Sequence, residues 1–446
     1  MTRTPLAAVV LAAGLGTRMR SRRPKHLHPL LGRRLVDWVV GAVRGLEPEP
    51  LVVVTSPDTR AELAETLPDG VVVAVQEEPR GTGDAAAAAH ASLEGFEGDV
   101  LVLAGDAPLL TTTVLEELLA AHRRQGAAVT VLSFEAEEPG SYGRIVRDVD
   151  GRLRAIVEAG DASPEELAIR ELNSSIYVFG ARDLWSALER LAPDNAQGEL
   201  YLTDAVRHLA DDGRLASVYR ASDPRAGEGV NTRADLATAG AQLRDDILRS
   251  HMEAGVTIVD PATTWVEPDV VVERDAVIHP FTVLRGRTIV RESAEVGPHV
   301  VAVDAEIGAG ALVGPFCYLR PGTVLEAGAK AGTFVEIKNS RIGEGTKVPH
   351  LSYVGDAEVG EGTNIGAGAI TANYPHEPGR PKGKTTIGRN VRTGVHNSFM
   401  APVIIGDDSW TAAGSVITDD VPPESLAGFP PRQVTKEGYL RGDRND

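Results

Sequence analysis

A glycine-rich stretch near the start of the chain, residues 11–19, has the composition of a phosphate-binding turn. Its glycines let the backbone approach an anion, and amides between a strand and a helix point toward it. Arg18 and Lys25 add positive charge. Neither a GxxxxGKS/T loop nor a GxGxxG turn matches, since Lys25 comes too late and Met19 replaces the third glycine. The stretch therefore predicts a phosphate site of another type.

Two polar side chains follow predicted strands. Gln76 comes directly after residues 71–75, and its amide can donate to and accept from a base edge. Asp106 follows residues 99–103, where a carboxylate suits Mg²⁺, which leaves its other positions to water and phosphate. The ordinary alternatives are an exposed loop residue for Gln76 and a turn or helix-capping residue for Asp106.

His350 is the candidate general base of the second half. It stands in the segment KVPHLSYVGD, and the basic segment at residues 375–384 interrupts the surrounding repeat as a loop. Imidazole titrates near neutral pH, so it can take a proton from a substrate group that acts as a nucleophile. A lone surface histidine is the alternative.

Strand and helix patterns alternate in the first half and predict an α/β domain with a parallel sheet and right-handed crossovers. Because ligands bind beyond the carboxyl ends of such strands, the turn at 11–19, Gln76 and Asp106 belong to one cleft. The predicted strands are residues 6–11, 51–55, 71–75 and 99–103, and the predicted helices are 30–40, 58–66, an alanine-rich helix after residue 84, and 111–122.

From about residue 255 a small or aliphatic residue recurs every six positions, with occasional one-residue slips. Six residues make a short strand and a turn, and three such units make one triangular coil, so the repeat predicts a parallel β-helix. The predicted inward positions are Val266, Val272, Ile278, Leu284, Val290, Val296, Ala302, Ile307, Val313, Leu319, Leu325, Ala331, Ile337, Ile342, Val348, Val354, Val359, Ile365, Thr371, Ile387, Thr393, Phe399, Ile405, Thr411 and Ile417.

These patterns divide the chain into four segments. The predicted bounds are 1–231 for the first domain, 232–254 for a linker helix, 255–421 for the β-helix and 422–446 for a tail. The tail is rich in proline, glycine and charge, so we expect it to be poorly ordered.

The composition of the chain limits the classes of molecule that can be its main binding partner. A net charge of −18 and only 4% aromatic residues argue against nucleic acid or an anionic membrane as the main partner. The single cysteine, Cys317, excludes an intrachain disulfide and fits a reducing compartment, the cytoplasm. No apolar run reaches transmembrane length, and the run at the N-terminus is too short for a signal peptide.

The motifs together resemble the bifunctional family of N-acetylglucosamine-1-phosphate uridyltransferase and glucosamine-1-phosphate acetyltransferase. The resemblance is carried by LAAGxGTRM, Pro24-Lys25, Gln76, Gly81-Thr82, Gly105-Asp106, Tyr142-Gly143-Arg144-Ile145, Ile156-Val157-Glu158, Glu171-Leu172-Asn173, Glu199 to Asp204, Gly229-Val230-Asn231 and KVPHLSYVGD.

This resemblance implies a Rossmann-like nucleotidyltransferase domain followed by a left-handed parallel β-helix acetyltransferase domain. It implies acetyl transfer from acetyl-CoA to glucosamine 1-phosphate, then uridylyl transfer from UTP, in the synthesis of UDP-N-acetylglucosamine for the cell wall. Mg²⁺ is the implied metal, and a homotrimer formed through the β-helix is the implied assembly. The substrates are small molecules.

The resemblance also implies the role of each site residue. Catalysis falls to Lys25, Arg18 and His350, and metal binding to Asp106 and Asn231. The implied UTP ligands are Leu11, Ala12, Ala13, Gly14, Lys25, Gln76, Gly81 and Thr82. The implied ligands of N-acetylglucosamine 1-phosphate are Gly143, Glu158, Asn173 and Asn231. The implied ligands of glucosamine 1-phosphate are Arg320, Lys338, Tyr353, Asn364 and Lys384. The implied acetyl-CoA contacts are Ala367, Asn373, Tyr374, Val395 and Ala413.

Several positions depart from the family pattern. The family usually has a hydrophobic residue at 26, histidine at 84, lysine near 160, glycine at 175, serine at 395 and Asp-Gly at 375–376. This chain has His26, Asp84, Gly160, Ser175, Val395 and Pro375-His376 there, and Arg432 is only a nearby candidate for the family's tail arginine.

Two other functions compete with the bifunctional enzyme. The first is a sugar-1-phosphate nucleotidyltransferase whose β-helix only assembles trimers or takes another acyl donor, which Val395 and Pro375-His376 favour. The second is a non-enzymatic regulatory or scaffold protein that binds a nucleotide sugar. The presence of Lys25 and of the pair of Asp106 and Asn231 argues against it.

Overall fold

A computed structural model describes residues 4–14, 16–375, 379, 381–428 and 433–437. The chain forms two compact units, Met1–Leu243 and Arg244–Asp446, which we describe separately. Among the described residues, no helix combines the length and the apolar character needed to cross a membrane.

The first unit is built around one mixed nine-stranded sheet. Its strands, with those of a separate small hairpin (β2 and β3), are Leu6–Ala12 (β1), Pro29–Leu30 (β2), Arg33–Arg34 (β3), Leu51–Thr55 (β4), Val71–Val75 (β5), Asp99–Ala104 (β6), Val129–Glu135 (β7), Arg144–Arg147 (β8), Leu153–Val157 (β9), Glu171–Gly180 (β10) and Ala216–Arg220 (β11). Its α-helices are Leu35–Arg44 (α1), Arg60–Thr66 (α2), Thr82–Ala87 (α3), Thr112–Gln125 (α4), Pro164–Leu167 (α5), Ala181–Leu188 (α6) and Leu202–Asp211 (α7), and Arg233–Glu253 (α8) begins in this unit. Its 3₁₀ turns are Thr17–Met19, Lys25–Leu27, Pro57–Thr59, His90–Leu93 and Pro224–Gly227.

The strand order is β11-β7-β10-β6-β1-β4-β5, with β8 and β9 attached beside β10. The four predicted strands are confirmed as the parallel group β6, β1, β4 and β5. The sheet as a whole is mixed, because β10, which was not among the predicted strands, runs antiparallel to both β6 and β7. The chain leaves β7, makes the β8–β9 hairpin and re-enters the sheet from the opposite end, without a long crossover helix.

The predicted helix at residues 30–40 is also wrong at its start. Leu31 and Gly32 both have positive φ and form the two-residue turn of the β2–β3 hairpin. Helix α1 begins only at Leu35, because the Asp37 carboxylate accepts the Arg34 backbone N–H at 2.9 Å.

The second unit is a parallel β-helix with three sheets, as predicted for the left-handed hexapeptide fold. Each strand pairs in parallel with the strand that begins one coil later, so the sheets follow the orders β12-β15-β18-β21-β24-β27, β13-β16-β19-β22-β25-β28-β30-β32-β35 and β14-β17-β20-β23-β26-β29-β31-β33. All the predicted inward positions are buried. The repeat therefore fixed which side chain of each short strand faces the core.

The strands of this unit are short. They are Thr257–Ile258 (β12), Trp265–Val266 (β13), Val271–Val272 (β14), Val277–Ile278 (β15), Val283–Arg285 (β16), Ile289–Val290 (β17), Glu295–Val296 (β18), Val301–Val303 (β19), Glu306–Ile307 (β20), Leu312–Val313 (β21), Tyr318–Leu319 (β22), Val324–Leu325 (β23), Lys330–Thr333 (β24), Glu336–Lys338 (β25), Arg341–Ile342 (β26), Lys347–His350 (β27), Tyr353–Gly355 (β28), Ala357–Val359 (β29), Ile370–Ala372 (β30), Thr385–Ile387 (β31), Ser398–Met400 (β32), Val403–Ile405 (β33), Trp410–Thr411 (β34), Val416–Ile417 (β35) and Leu426–Ala427 (β36). A 3₁₀ turn spans Pro261–Thr263.

Two predictions fall partly outside the described residues. His376, most of the tail beyond residue 428 and Arg432 lie there, so the expected poor order of the tail stays a prediction. The predicted segment bounds also stay predictions, and the boundary between the two units lies inside α8.

Candidate active sites

The first unit contains a cavity of about 580 Å³ at the carboxyl ends of β1 and β6. Every residue predicted to bind nucleotide, sugar or metal in this half lines it, together with Arg18. Those lining residues are Leu11, Ala12, Ala13, Gly14, Arg18, Lys25, Gln76, Gly81, Thr82, Asp106, Gly143, Glu158, Asn173 and Asn231. The structure therefore brings these side chains to one place.

Two cations and two oxygen ligands meet at one end of this cavity. The Lys25 ammonium contacts the Asp106 carboxylate and lies 3.2 Å from Asn231 Oδ1. The Arg18 guanidinium donates to the same Asn231 oxygen at 2.9 Å and to Ser141 Oγ at 3.0 Å. Asp106 thus has its negative charge balanced, while Arg18 brings a further positive charge without a carboxylate partner in these contacts.

Gly16 allows the loop to bring these cations into place. Its φ is +59°, and a Cβ added there would lie 2.5 Å from Lys25 Cβ. A larger residue would therefore push Lys25 away from Asp106. The glycine-rich turn acts here through close packing as well as through its amides.

The oxygens of Asp106 and Asn231 suit a small hard cation. They converge on one ammonium, which is the arrangement expected of ligands that can share a divalent ion. The loop holding Asn231 is anchored to the strand end, since Val230 N–H donates to the Asp106 backbone carbonyl at 2.9 Å. Tyr142 also holds this loop, because its hydroxyl accepts from Gly229 N–H at 3.0 Å. The chemistry of the donors therefore fits Mg²⁺.

An uncharged part of the cavity is formed by Gln76 and the turn at the start of α3. Gln76 Nε2 donates to the Gly81 carbonyl at 3.1 Å and to Asp84 Oδ2 at 2.8 Å. Gly81 has a φ of +117°, and a Cβ there would lie 2.5 Å from the Leu200 carbonyl oxygen. Thr82 Oγ1 accepts the Leu202 N–H at 3.0 Å, which fixes the turn against α7.

Glu158 and Asn173 form another polar wall. Thr203 Oγ1 donates to Glu158 Oε1 at 3.2 Å, and burial raises the pKa of this carboxyl. Asn173 Nδ2 donates to the Tyr177 hydroxyl at 2.8 Å, and Asn173 Oδ1 accepts from Ser175 N–H at 3.0 Å. These groups suit the hydroxyl and amide groups of a sugar. Sequence reasoning gave no site role to Tyr177, which carries no motif signal.

His26 is a buried residue of this cavity with an unusual environment. Its side chain is 3% exposed, and Nε2 has no hydrogen-bond partner among the described residues. Burial, followed by the nearby Lys25 ammonium, lowers the pKa of His26 from 6.5 to about 4. The imidazole is therefore neutral at physiological pH. Two other positions that depart from the family pattern are Asp84 and Gly160. Asp84 accepts a hydrogen bond from Gln76, whereas Gly160 does not line the cavity.

The second unit gathers a basic cluster around Asp356. Lys338 Nζ lies 3.3 Å from both carboxylate oxygens, and Asn373 Nδ2 also donates to that carboxylate. Lys382 Nζ lies 5.7 Å from the centroid of the Tyr374 ring. The adjacent Lys338 ammonium lowers the pKa of Lys382, so two like charges meet near one acid. This excess of positive charge suits an anion.

The sequence-based prediction names Lys384 and gives no role to Lys382. The structure places Lys384 Nζ 2.6 Å from Glu358 Oε1, in an exposed ion pair at the start of β31. Lys382 and Lys384 both line a cavity of about 420 Å³, together with Asp356. Arg320 follows β22 in the same sheet as Lys338 and donates to Glu336 at 2.8 Å.

The general-base candidate lies one corner away from the basic cluster. His350 ends β27 with an exposed side chain, and Tyr353 begins β28 immediately after the corner. Gly368 N–H donates to the His350 carbonyl at 3.3 Å, which stacks the coil containing Ala367 on that of His350. The remaining predicted residues follow on adjoining coils, where Asn364 pairs with Lys347, Val395 is exposed and Ala413 packs against Gly394.

Comparison with known proteins supports both halves. Residues 8–222 match the MobA-like NTP transferase domain. The chain is 47% identical to "Bifunctional protein GlmU" of Mycolicibacterium gilvum, with 98% of this chain and 92% of that protein covered. It is 49% identical to the protein of the same name in Streptomyces avermitilis, with 99% and 95% covered, and 46% identical to that of Thermobifida fusca, with 99% and 95% covered.

Proposed function

Because the chain belongs to the family of the bifunctional GlmU proteins, we propose that it makes UDP-N-acetylglucosamine in two steps on its two units. The β-helix transfers an acetyl group from acetyl-CoA to glucosamine 1-phosphate. The first unit then transfers a uridylyl group from UTP to the N-acetylglucosamine 1-phosphate formed. UTP and acetyl-CoA are thus its co-substrates.

The observation that carries uridylyl transfer is the meeting of Lys25, Arg18, Asp106 and Asn231 in one cavity. A phosphate oxygen of the sugar 1-phosphate attacks the α-phosphorus of UTP, the new O–P bond forms and pyrophosphate leaves. Both reactants are anions, so the step needs positioning and charge neutralisation. No general base is required, because the attacking phosphate is already ionised.

The residues of the cavity divide this task. Arg18 and Lys25 neutralise the triphosphate, while Gln76, Gly81 and Thr82 hold the base. Glu158 and Asn173, with Gly143, bind the sugar, and the buried Glu158 can accept from its hydroxyl groups. Asp106 and Asn231 would hold Mg²⁺, which supplies further charge stabilisation at the reacting phosphate when bound.

Pyrophosphate release tests this half. Purified protein with Mg²⁺, UTP and N-acetylglucosamine 1-phosphate is expected to release pyrophosphate, and Asp106→Ala to abolish the release. Glu77→Gln, which changes an exposed acid outside the cavity, serves as the control. No release above the background of the Asp106 variant would contradict the proposal.

The observation that carries acetyl transfer is the basic cluster of Lys338 and Lys382 one corner from His350. The two ammonium groups, with Arg320, bind the phosphate of glucosamine 1-phosphate. We propose Lys382 for this role ahead of Lys384, because the Lys382 ammonium lies beside that of Lys338, whereas the Lys384 ammonium lies beside Glu358. Tyr353 and Asn364 complete the sugar site.

His350 takes the proton from the sugar ammonium so that its nitrogen attacks the thioester carbonyl. The C–N bond forms, the C–S bond breaks, and the thiolate of coenzyme A leaves and takes up the second proton, which the nitrogen loses as it becomes an amide. Ala367, Asn373, Tyr374, Val395 and Ala413 are the proposed contacts of acetyl-CoA. The family resemblance implies that three chains assemble through the β-helix, and we propose a homotrimer here, in the cytoplasm.

Thiol release from acetyl-CoA with glucosamine 1-phosphate tests this second half. His350→Ala is expected to lower the rate strongly, and Lys384→Ala serves as a basic-residue control beside the site. If His350→Ala leaves the rate unchanged, the general-base role is wrong. If the wild type releases no thiol while pyrophosphate release is intact, the β-helix has only an assembly role or uses another acyl donor.

A further inference from the structure

We propose that Asp84 is a positioning residue that fixes the Gln76 amide with its carbonyl oxygen toward the nucleotide base, an inference that rests on the uridylyl transfer proposed above. A fixed acceptor selects a base with an imide N–H, such as uracil, and disfavours cytosine. The base preference of this enzyme therefore depends on a carboxylate that does not itself line the cavity.

Both hydrogens of the Gln76 amide are already used. Nε2 lies 3.1 Å from the Gly81 carbonyl oxygen and 2.8 Å from Asp84 Oδ2. A carbonyl and an ionised carboxylate only accept hydrogen bonds, so neither can bond to Oε1 in place of Nε2. The orientation of the amide is thus set by its partners, and Oε1 is left as the group available to a ligand.

Asp84 is itself held from its other side. Arg80 Nη2 lies 3.0 Å from Asp84 Oδ1, while Oδ2 accepts from Gln76. The Asp84 side chain is 15% exposed, whereas that of Arg80 is 64% exposed, so the pair reaches from solvent to the buried Gln76. The carboxylate therefore anchors the amide and is not a free surface charge.

The two pyrimidines differ at the atom that faces such an acceptor. Uracil presents N3–H as a donor, whereas N3 of cytosine is an acceptor. To donate to cytosine N3, Gln76 would have to flip and point Oε1 at the Asp84 carboxylate and the Gly81 carbonyl. The flip loses one charge-assisted hydrogen bond and one neutral one, which are replaced by repulsion.

The substitution Asp84→Asn tests whether Asp84 orients the Gln76 amide or only supports the local fold. Asparagine has nearly the same shape, but its amide can donate to or accept from Gln76, so the flip no longer meets a carboxylate. The measurement is kcat/KM for pyrophosphate release with UTP and with CTP, at saturating N-acetylglucosamine 1-phosphate and Mg²⁺. Glu77→Gln is the matched control, since it removes an exposed acid from the same segment.

We expect the preference of kcat/KM for UTP over CTP to fall about tenfold in Asp84→Asn, with most of the change in KM. Asp84→Ser, whose hydroxyl also donates or accepts, is expected to lower it similarly, and it replaces the first variant if that one is not folded. The control keeps the wild-type ratio.

An equal loss for both nucleotides in both variants would overturn the inference, because it would mean that Asp84 only supports the local fold. Wild-type protein that turns over neither nucleotide would instead contradict the proposed uridylyl transfer. Wild-type turnover of UTP with an unchanged ratio in the variants leaves the uridylyl transfer standing and refutes the role of Asp84.

Discussion

His26→Leu is predicted to make the first unit less sensitive to acid. The wild-type imidazole is buried, its Nε2 has no partner among the described residues, and its pKa is lowered from 6.5 to about 4. The folded state therefore favours neutral histidine. The stability due to this preference is complete above the unfolded pKa and is lost as pH falls from 6.5 toward 4. Leucine cannot titrate, so the variant has no such loss.

The size of the effect follows from the shift. A pKa difference of about 2.5 units corresponds to roughly 3 kcal/mol when the titration is complete. At pH 5.5 the unfolded imidazole is mostly protonated while the folded one is still neutral. Integrating the linkage relation between pH 7.5 and 5.5 gives a loss of about 1 kcal/mol in the free energy of unfolding.

Urea unfolding of the full chain, followed by tryptophan fluorescence at both pH values, measures this difference. The first unit's transition is the one that the substitution shifts. The stability of His26→Leu relative to wild type should rise by about 1 kcal/mol from pH 7.5 to 5.5. Gln197→Leu is the control because Gln197 is an exposed residue of the same unit that carries no titratable group, and its difference from wild type should stay nearly constant.

A constant gap between His26→Leu and wild type would refute the reasoning, since it would mean that folded His26 titrates like the unfolded residue. Histidine C2–H exchange followed by mass spectrometry provides an independent check. It should give His26 a midpoint well below that of an unfolded histidine.

Three further predictions concern other residues. Ser175→Gly should stabilise the first unit by about 1 kcal/mol in urea unfolding, because Ser175 has a φ of +61° that glycine adopts without strain. Thr282→Val should stabilise the second unit by about 1 kcal/mol in the same assay, because the buried Thr282 hydroxyl has no partner among the described residues. An unchanged or lower midpoint would contradict either prediction. In the thiol-release assay, Lys382→Ala should raise KM for glucosamine 1-phosphate about tenfold or more, whereas Lys384→Ala should change it less than about twofold. Equal effects of the two lysine variants would contradict the assignment.

The core of both units could be predicted because it depends on periodic patterns. In the β-helix, one aliphatic or small residue in every six faces the core, and every coil repeats this requirement. A mismatch at one position therefore does not change the assignment of the positions that follow. The carboxyl ends of the parallel strands in the first unit could also be predicted from the sequence. A run such as Val71–Val75 stops at Gln76, and the carboxyl ends of parallel strands share one edge.

The sequence-based predictions failed at structural features that occur only once in the chain and therefore leave no repeating pattern. Residues 29–34 have enough apolar residues for a helix, but the positive φ of Leu31 and Gly32 makes a hairpin, and no repeat marks that turn. Strand β10 runs antiparallel to β6 because the chain reaches it through the β8–β9 hairpin. The alternation of strands and helices along the sequence does not indicate the direction of this strand. The sequence marks Asp84 as a departure that affects substrate contacts, but its hydrogen bond to Gln76 forms between residues eight apart and has no signal in the sequence.

The two lysines after the loop illustrate this limit most clearly. Lys382 and Lys384 are two residues apart, both are basic, and either could serve an anionic substrate. Lys384 directly precedes β31, whose parallel pairing with β29 places it beside Glu358. Lys382 is still outside the strand, so its ammonium meets Lys338 instead. The different surroundings of the two lysines therefore follow from the residue at which β31 begins to pair with β29. That residue depends on the number of residues between β30 and β31 and not on the composition of this segment. If two fewer residues separated β30 from β31, Lys382 would directly precede β31 and would lie beside Glu358, which is why the residue type alone could not assign the role.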